Sequence, residues 1–452
     1  MNRTPKKATM PRILRLLAAG GLALALGACS VDEVLEVTDP DIVNPRDLQS
    51  AAGAAAAFAG GIGDFSFAII GDAGGTEGQI LVGGSMSDEL MNSETFPTRQ
   101  EYENRSIDER NGTLTAVFRN LQRARVSLES AAGLLQQYAP TPERRVGEAL
   151  ALAGYTYVFF GESYCSGVPF SSLEAGLGTP KSTTEIFDLA IARFDSALVY
   201  LTATDSATVA RANLARVGKA RAQLNLGQFA AAAATVTGVP LTFQYRTTHT
   251  VTTGRQQNGV HVFNWISERF SVADRDGSAG TGLDFRSAND PRVQVVRDPT
   301  DGVGFDAVTP QWNSLKYPTR TTPVPIADGL EAKLIIAEAL LQAGNAGAWL
   351  DTLNYIRANG PVAGLGPLAD PGTARGREDL MFRERAFWLF LTGHRLGDLR
   401  RLMRQYGRTE DEVFPTGVSP KGVTYGDDVN LPVPFEERNN TNYTGACSTT
   451  TP

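Results

Sequence analysis

The stretch GLEAKLIIAEALLQAGNAGAWLDTLNYIRA, residues 329–358, decides the class of fold. An Ala-rich helix over 329–343 meets Ala343-Gly344-Asn345, and a second helix follows over 346–358. Glycine at such a junction takes the left-handed conformation that ends a helix, and small side chains let the paired helices approach closely. Residues 208–226 and 228–236 repeat the arrangement around Leu226-Gly227-Gln228. The two pairs are not tandem, because residues 240–325 lie between them, so no regular solenoid is expected.

Each pair is built like a tetratricopeptide-type hairpin. On the N-terminal side, Leu114, Val117, Phe118, Leu121, Ala124 and Leu128 recur at spacings of three and four within a helical stretch from Ile107 to Tyr138. A second helix is expected from about Pro142 to Phe160, opened by Thr141-Pro142-Glu143. A third, Thr184 to Leu201, carries Ile186, Leu189, Ala190, Phe194, Ala197 and Leu198 at the same spacing. Residues 378–406 are helical again, and 407–452 are mostly coil. In 51–95, rich in Ala and Gly, helix content stays open, and Gly60-Gly61-Ile62-Gly63 and Gly71-Asp72-Ala73-Gly74-Gly75 are taken as flexible loop. The segment 240–325 is different in kind: rich in Thr, Gly and aromatics, with short strand-like runs. The expected fold is therefore mostly α, with hairpins forming a scaffold (51–239 and 326–452) and an irregular loop-rich lobe containing short strands (240–325).

The first residues form a targeting segment. Arg3, Lys6, Lys7, Arg12 and Arg15 precede an apolar run from Leu16 to Ala28, the layout of a secretory signal peptide over 1–28. Leu26-Gly27-Ala28-Cys29 resembles the bacterial lipobox, which implies acylation of Cys29 and cleavage just before it. Acyl chains anchor a protein by about 0.8 kcal/mol per buried methylene. Residues 29–50, polar with Asp-Pro and Asn-Pro punctuation, are expected to be a tether. No second apolar segment is expected to span a membrane.

The chain has a net charge of -7, and residues 1–28 hold five basic and no acidic side chains, which leaves -12 for the remainder. Such a chain repels phosphate backbones, so nucleic acid is not an expected partner. With Cys29 lipidated, Cys165 and Cys447 remain; an even remainder in an exported protein favours a disulfide over two unrelated thiols. His249, His261 and His394 are widely separated and lack metal-binding spacing, so no metal and no cofactor is implied. Asp274-Arg275-Asp276-Gly277 is only part of a calcium loop. Scattered Asp and Glu leave a glycosidase open, since its paired carboxylates need no proximity in sequence.

Phe382-Arg383-Glu384-Arg385, then Gly393-His394-Arg395 and Asp398-Leu399-Arg400-Arg401, resemble the signature of the SusD/RagB family of outer-membrane nutrient-binding lipoproteins. Ile336-Ala337-Glu338-Ala339, Leu353-Asn354-Tyr355-Ile356-Arg357, Asn289-Asp290-Pro291-Arg292, Lys316-Tyr317 and Leu431-Pro432-Val433-Pro434 agree in order. The chain departs from the family pattern at Trp388 and Thr392, where acidic residues are common. The resemblance implies a non-enzymatic protein, lipid-anchored in the outer membrane and facing outward. It would bind a glycan or another nutrient and pass it to a TonB-dependent barrel transporter. Because sugar faces pack on aromatic rings, Trp265, Trp312 and Tyr317 are the candidate ligand contacts, against a core role for each. Glu384 lies among Leu380, Phe387 and Leu391 on one helical face and needs cationic partners; Arg383, Arg400 or Arg401 would make a structural clasp with it, and a ligand or catalytic cluster is the other reading. An extracellular glycoside hydrolase and a helical scaffold that binds only protein are the alternative functions.

Overall fold

Gly344 adopts φ +73° and Gly227 φ +72°, and each ends a helix as the sequence predicts. The computed structural model describes residues 48–139, 143–172, 174–278, 281–445 and 447–452. The signal segment, Cys29, most of the tether, Thr141 and Pro142 lie outside the described residues. The main helices in chain order are α1 (Ala51–Ile70), α2 (Gln79–Met86), α3 (Pro97–Glu103), α4 (Gly112–Tyr138), α5 (Arg144–Ser163), α6 (Thr183–Val199), α7 (Ser206–Asn225), α8 (Phe229–Val236), α9 (Gly329–Gln342), α10 (Ala346–Asn359), α11 (Ala374–Trp388) and α12 (Arg395–Tyr406). Four short antiparallel pairs join them: β1 (Leu90–Asn92) with β5 (Phe270–Val272), β2 (Val168–Pro169) with β3 (Pro180–Lys181), β4 (Gln244–Arg246) with β8 (Pro325–Asp328), and β6 (Val295–Arg297) with β7 (Trp312–Ser314). The fold is mostly helical, and the strands are short.

Helix packing runs in one continuous series: α1 on α4, α4 on α5, α5 on α6, both on α7, then α7 on α8, α8 on α9 and α9 on α10. The two hairpins that residues 240–325 separate in sequence are thus neighbours in space. Pairing of β4 with β8, Gln244 opposite Asp328 and Tyr245 opposite Ala327, closes the neck of the intervening segment. The Gly329 N–H donates to the Phe243 carbonyl at 2.9 Å, and a Cβ at Gly329 would lie 2.1 Å from the Pro240 oxygen. The chain leaves the scaffold and returns to it at one point, so the array is interrupted in sequence only.

Close helix approach depends on glycine. Gly147, Gly154 and Gly161 recur every seven residues on α5, and a Cβ at each would meet Leu201, Phe194 and Phe187 at 2.5, 2.8 and 2.6 Å. Phe194 also fills the space over Gly218 of α7, where a Cβ would lie 2.3 Å from its ring. The expectation of flexible loop at Gly60–Gly63 is corrected: these residues are inside α1. Packing overrides their low helix propensity, with Gly61 placed against Leu128 of α4. By length and composition α1 could cross a membrane, which the sequence reading did not anticipate. Instead it buries Ala54, Phe58, Phe65 and Ala68 in the core.

Buried charges orient the C-terminal helices. Asp398 accepts from Arg385 (2.8 and 3.0 Å) and from Arg401 (2.8 Å), while Arg401 also reaches Glu338 of α9 at 3.0 Å. Burial alone would raise the Asp398 carboxyl, but the two guanidiniums hold it well below the usual carboxylate range. Arg221 of α7 pairs with Glu162 of α5 and lies 2.8 Å from His394 Nε2, and burial next to that cation keeps His394 neutral. Arg395 grips Asp88 at 2.6 and 2.8 Å. The expected clasp is corrected in its partners. Glu384 accepts from Arg292 (2.8 and 3.1 Å) and Arg357 (2.7 Å), not from Arg400 or Arg401. Arg400 donates instead to the carbonyls of Gly161 and Tyr164, and Arg383 pairs with Asp284. Successive helical residues point about 100° apart, so Arg385 faces α12 while Glu384 faces α10 and the turn at Asp290.

Three measurements check this account. Gly218→Ala is expected to lower unfolding free energy by about 1–3 kcal/mol in urea titrations, through overpacking against Phe194. Arg401→Met takes from Glu338 its close cationic partner, leaving it the Tyr406 hydroxyl at 2.6 Å and Arg385 at 3.8 Å, and takes one of two guanidiniums from Asp398; the expected loss is about 3 kcal/mol. Burial pushes the Glu89 carboxyl from its ordinary 4.5 up to about 8, against the pull of its hydrogen bond from the Leu391 N–H. A raised carboxyl contributes stability that is full below pH 4.5 and lost as pH rises through about 8. Unfolding free energy in Glu89→Gln should therefore fall less between pH 5 and 8 than in the parent; an identical slope would show that Glu89 is not the group responsible.

Candidate functional site

The β1–β5 pair sets Asn92 opposite Phe270, so the residues after β1 and before β5 emerge together. Ser93 laces three segments: its N–H donates to the Arg269 carbonyl (3.0 Å), its hydroxyl to the Glu268 carbonyl (2.7 Å), and its carbonyl accepts from Asp306 N–H (3.0 Å). Gly304 passes so close that a Cβ would lie 2.3 Å from the Ser93 Cβ. Glu94, fully buried, pairs with Arg99 at 2.6 Å and with Arg269. Arg99 pairs in turn with Glu77.

This ionic base presents two aromatic rings to solvent. The Arg269 guanidinium lies 5.2 Å from the Phe96 ring centroid and 4.2 Å from that of Phe305. Phe96 is 49% exposed, Phe305 52% and Val308 75%, apolar surface gathered at one place. Cation–π contact with this partly buried guanidinium restrains both rings. Beside them opens a cavity of about 540 Å³ lined by Thr95, Gln100, Asn104, Asp306, Thr309 and Lys421. The Lys421 ammonium is tied to Asp306 (3.0 Å), to the Glu94 carbonyl (3.1 Å) and to Asn92 (3.4 Å). Burial tends to raise Asp306, but hydrogen bonds from Thr309 and Val308 and the contact with Lys421 bring its carboxyl down to about 2. Flat apolar faces beside amide and hydroxyl groups suit a ligand whose rings carry hydrogens on their faces and hydroxyls on their edges.

None of the three aromatics picked from the sequence belongs to this platform. Tyr317 is 2% exposed and donates its hydroxyl to the Leu391 carbonyl at 2.8 Å, so its ring packs in the core, and the residue lines a different cavity, at the neck of the inserted lobe. Trp265 is half-buried, stacks on His261 at 6.0 Å and donates its Nε1–H to the Ser314 carbonyl at 2.8 Å. Trp312, half-buried on β7, lies under Arg286 and Arg297 at 5.0 and 5.6 Å. Cys165 and Cys447 are joined as a disulfide with Cα atoms 5.6 Å apart. Phe96, Phe305 and Arg269 escaped the sequence reading because Phe ordinarily signals core; the one local hint is Phe96-Pro97, which puts Phe96 just outside the start of α3.

No protein-family model matches the chain, and no curated protein does. Solved structures are similar over most of it. A SusD superfamily protein from Bacteroides thetaiotaomicron is 14% identical, with a TM-score of 0.66 over 87% of this chain and 98% of that one. A SusD-like carbohydrate binding protein from Bacteroides vulgatus is 14% identical, with a TM-score of 0.62 over 87% of this chain and 97% of that one. A laminarin binding SusD-like protein is 15% identical, with a TM-score of 0.60 over 86% of this chain and 98% of that one. The continuous helical array and the lobe inserted at its neck are, in this chain, the fold of the SusD superfamily.

Proposed function

We propose that the protein is a SusD/RagB-type lipoprotein that binds a glycan at the Phe96–Arg269–Phe305 platform without cleaving it. It is anchored through Cys29 to the outer face of the outer membrane and delivers the glycan to a TonB-dependent barrel transporter. The observation that carries the reading is two half-exposed rings clamped on a guanidinium whose countercharge, Glu94, is fully buried. Such rings are positioned before a ligand arrives, which removes the entropic cost of ordering them on binding. The binding named for two similar structures, carbohydrate in one and laminarin in the other, supports the ligand class. The lipobox-like Leu26-Gly27-Ala28-Cys29 supports the anchor.

Isothermal titration of the mature protein against a glycan panel that includes laminari-oligosaccharides tests the binding role. Phe96→Ala and Phe305→Ala are each expected to weaken the glycan that binds by about 5–10-fold, the loss of roughly 1 kcal/mol of ring contact. No reducing ends should appear on prolonged incubation. Release of reducing ends, or unchanged affinity in the double variant, defeats the proposal. Mass spectrometry of the membrane form should show an acylated Cys29, and a barrel transporter should be recovered with it.

A further inference from the structure

A second cavity, of about 590 Å³, opens at the neck where the inserted lobe joins the scaffold. Its size is within the ~300–1,000 Å³ of small-ligand sites. Strand β4 sets its rim. Tyr245 turns inward to donate to Glu148 at 2.8 Å, while Gln244 and Arg246 to either side of it are exposed. Both are exposed and both line the cavity, with the Gln294 amide also at its wall. Trp388, Leu315 and Pro323 add apolar side chains to the lining.

The charges around this cavity do not balance. Arg292 is spent on Asp290 and Glu384. The acid present, Asp328, has its carboxylate engaged by the Glu331 N–H at 2.8 Å, where it caps α9. Among the described residues, Lys316 donates to the Phe390 carbonyl at 2.5 Å and has no carboxylate within ion-pair distance, though Asp328 and Glu89 act on it from farther off, and the Arg246 side chain makes no ion pair or hydrogen bond. In a chain of net charge -7, a guanidinium without a side-chain partner and a lysine lie at one cavity with apolar side chains and two glutamines. A carboxylate takes the fork of an arginine in a bidentate bond, which a neutral sugar cannot.

We infer that this neck cavity is a second ligand site, separate from the phenylalanine platform, that takes a uronate-bearing oligosaccharide with its carboxylate on Arg246. Titration of the mature protein with trigalacturonate, a glucuronate-bearing trisaccharide, laminaritriose and citrate tests it. The expected result is binding of at least one acidic trisaccharide, at least 10-fold weaker in Arg246→Gln and unchanged in the Phe96→Ala/Phe305→Ala double variant. Laminaritriose affinity should be the same in Arg246→Gln as in the parent. Because Arg246 is exposed and unpartnered, the variant should melt at the parental temperature, which separates loss of the site from loss of fold. The inference is overturned if neither acidic trisaccharide binds, if Arg246→Gln binds them as the parent does, or if citrate binds as tightly as the trisaccharides. Failure of the platform variants with Arg246→Gln behaving as expected would sink the proposed function and leave this site standing.

Discussion

Asp398, shared between Arg385 and Arg401, is the contact on which the rest of the arrangement hangs. Through Arg385 it sets the angle between α11 and α12, and through Arg401 and Glu338 it fixes both to α9. Three turns of one helix thereby hold charges that no apolar substitute could aim in the same directions. Buried ion pairs contribute little net stability over well-packed hydrophobic groups, but a wrong packing that leaves one unpaired is heavily penalised. Specificity of helix placement, more than stability, is what such a network supplies here. The same helix reaches Asp88 through Arg395, two residues before β1 begins. The placement of α12 is thus passed along β1 to Glu94, and from Glu94 through Arg269 to the exposed rings.

The hairpins were legible in sequence because their signals are local. A helix-ending glycine and a run of alanines act within a few residues, and Gly344 and Gly227 behave accordingly. Helix α1 was not legible, since Gly60, Gly61 and Gly63 argue locally against helix and only the surface of α4 outweighs them. The need of Glu384 for cationic partners could be deduced from its apolar neighbours, and it does have two. Their identity could not be, because Arg292 comes from the inserted lobe and Arg357 from α10, and no spacing rule links either to α11.

The platform shows the limit of reading residue type for role. Tryptophan and tyrosine are the lobe residues that residue type favours for sugar contact, yet Tyr317 packs its ring in the core and Trp265 has its donor satisfied by the chain itself. Exposure of Phe96 and Phe305 follows from Ser93 stitching together segments that are far apart in sequence, a tertiary fact with no one-dimensional trace. Both proposed sites lie on seams between scaffold and insert. A rigid helical array can hold irregular backbone in place at such seams, which is where recognition loops are usually found.

The Cys165–Cys447 bond closes a covalent ring around a sequence separation of 282 residues, and that ring contains the whole inserted lobe and both hairpins. A protease that nicks an exposed turn of the lobe therefore severs the backbone without releasing a fragment: the two pieces stay linked by sulfur and by the interior salt bridges that cross between them. Damage to one loop becomes a local wound and not a dismantling, until a reductant opens the ring.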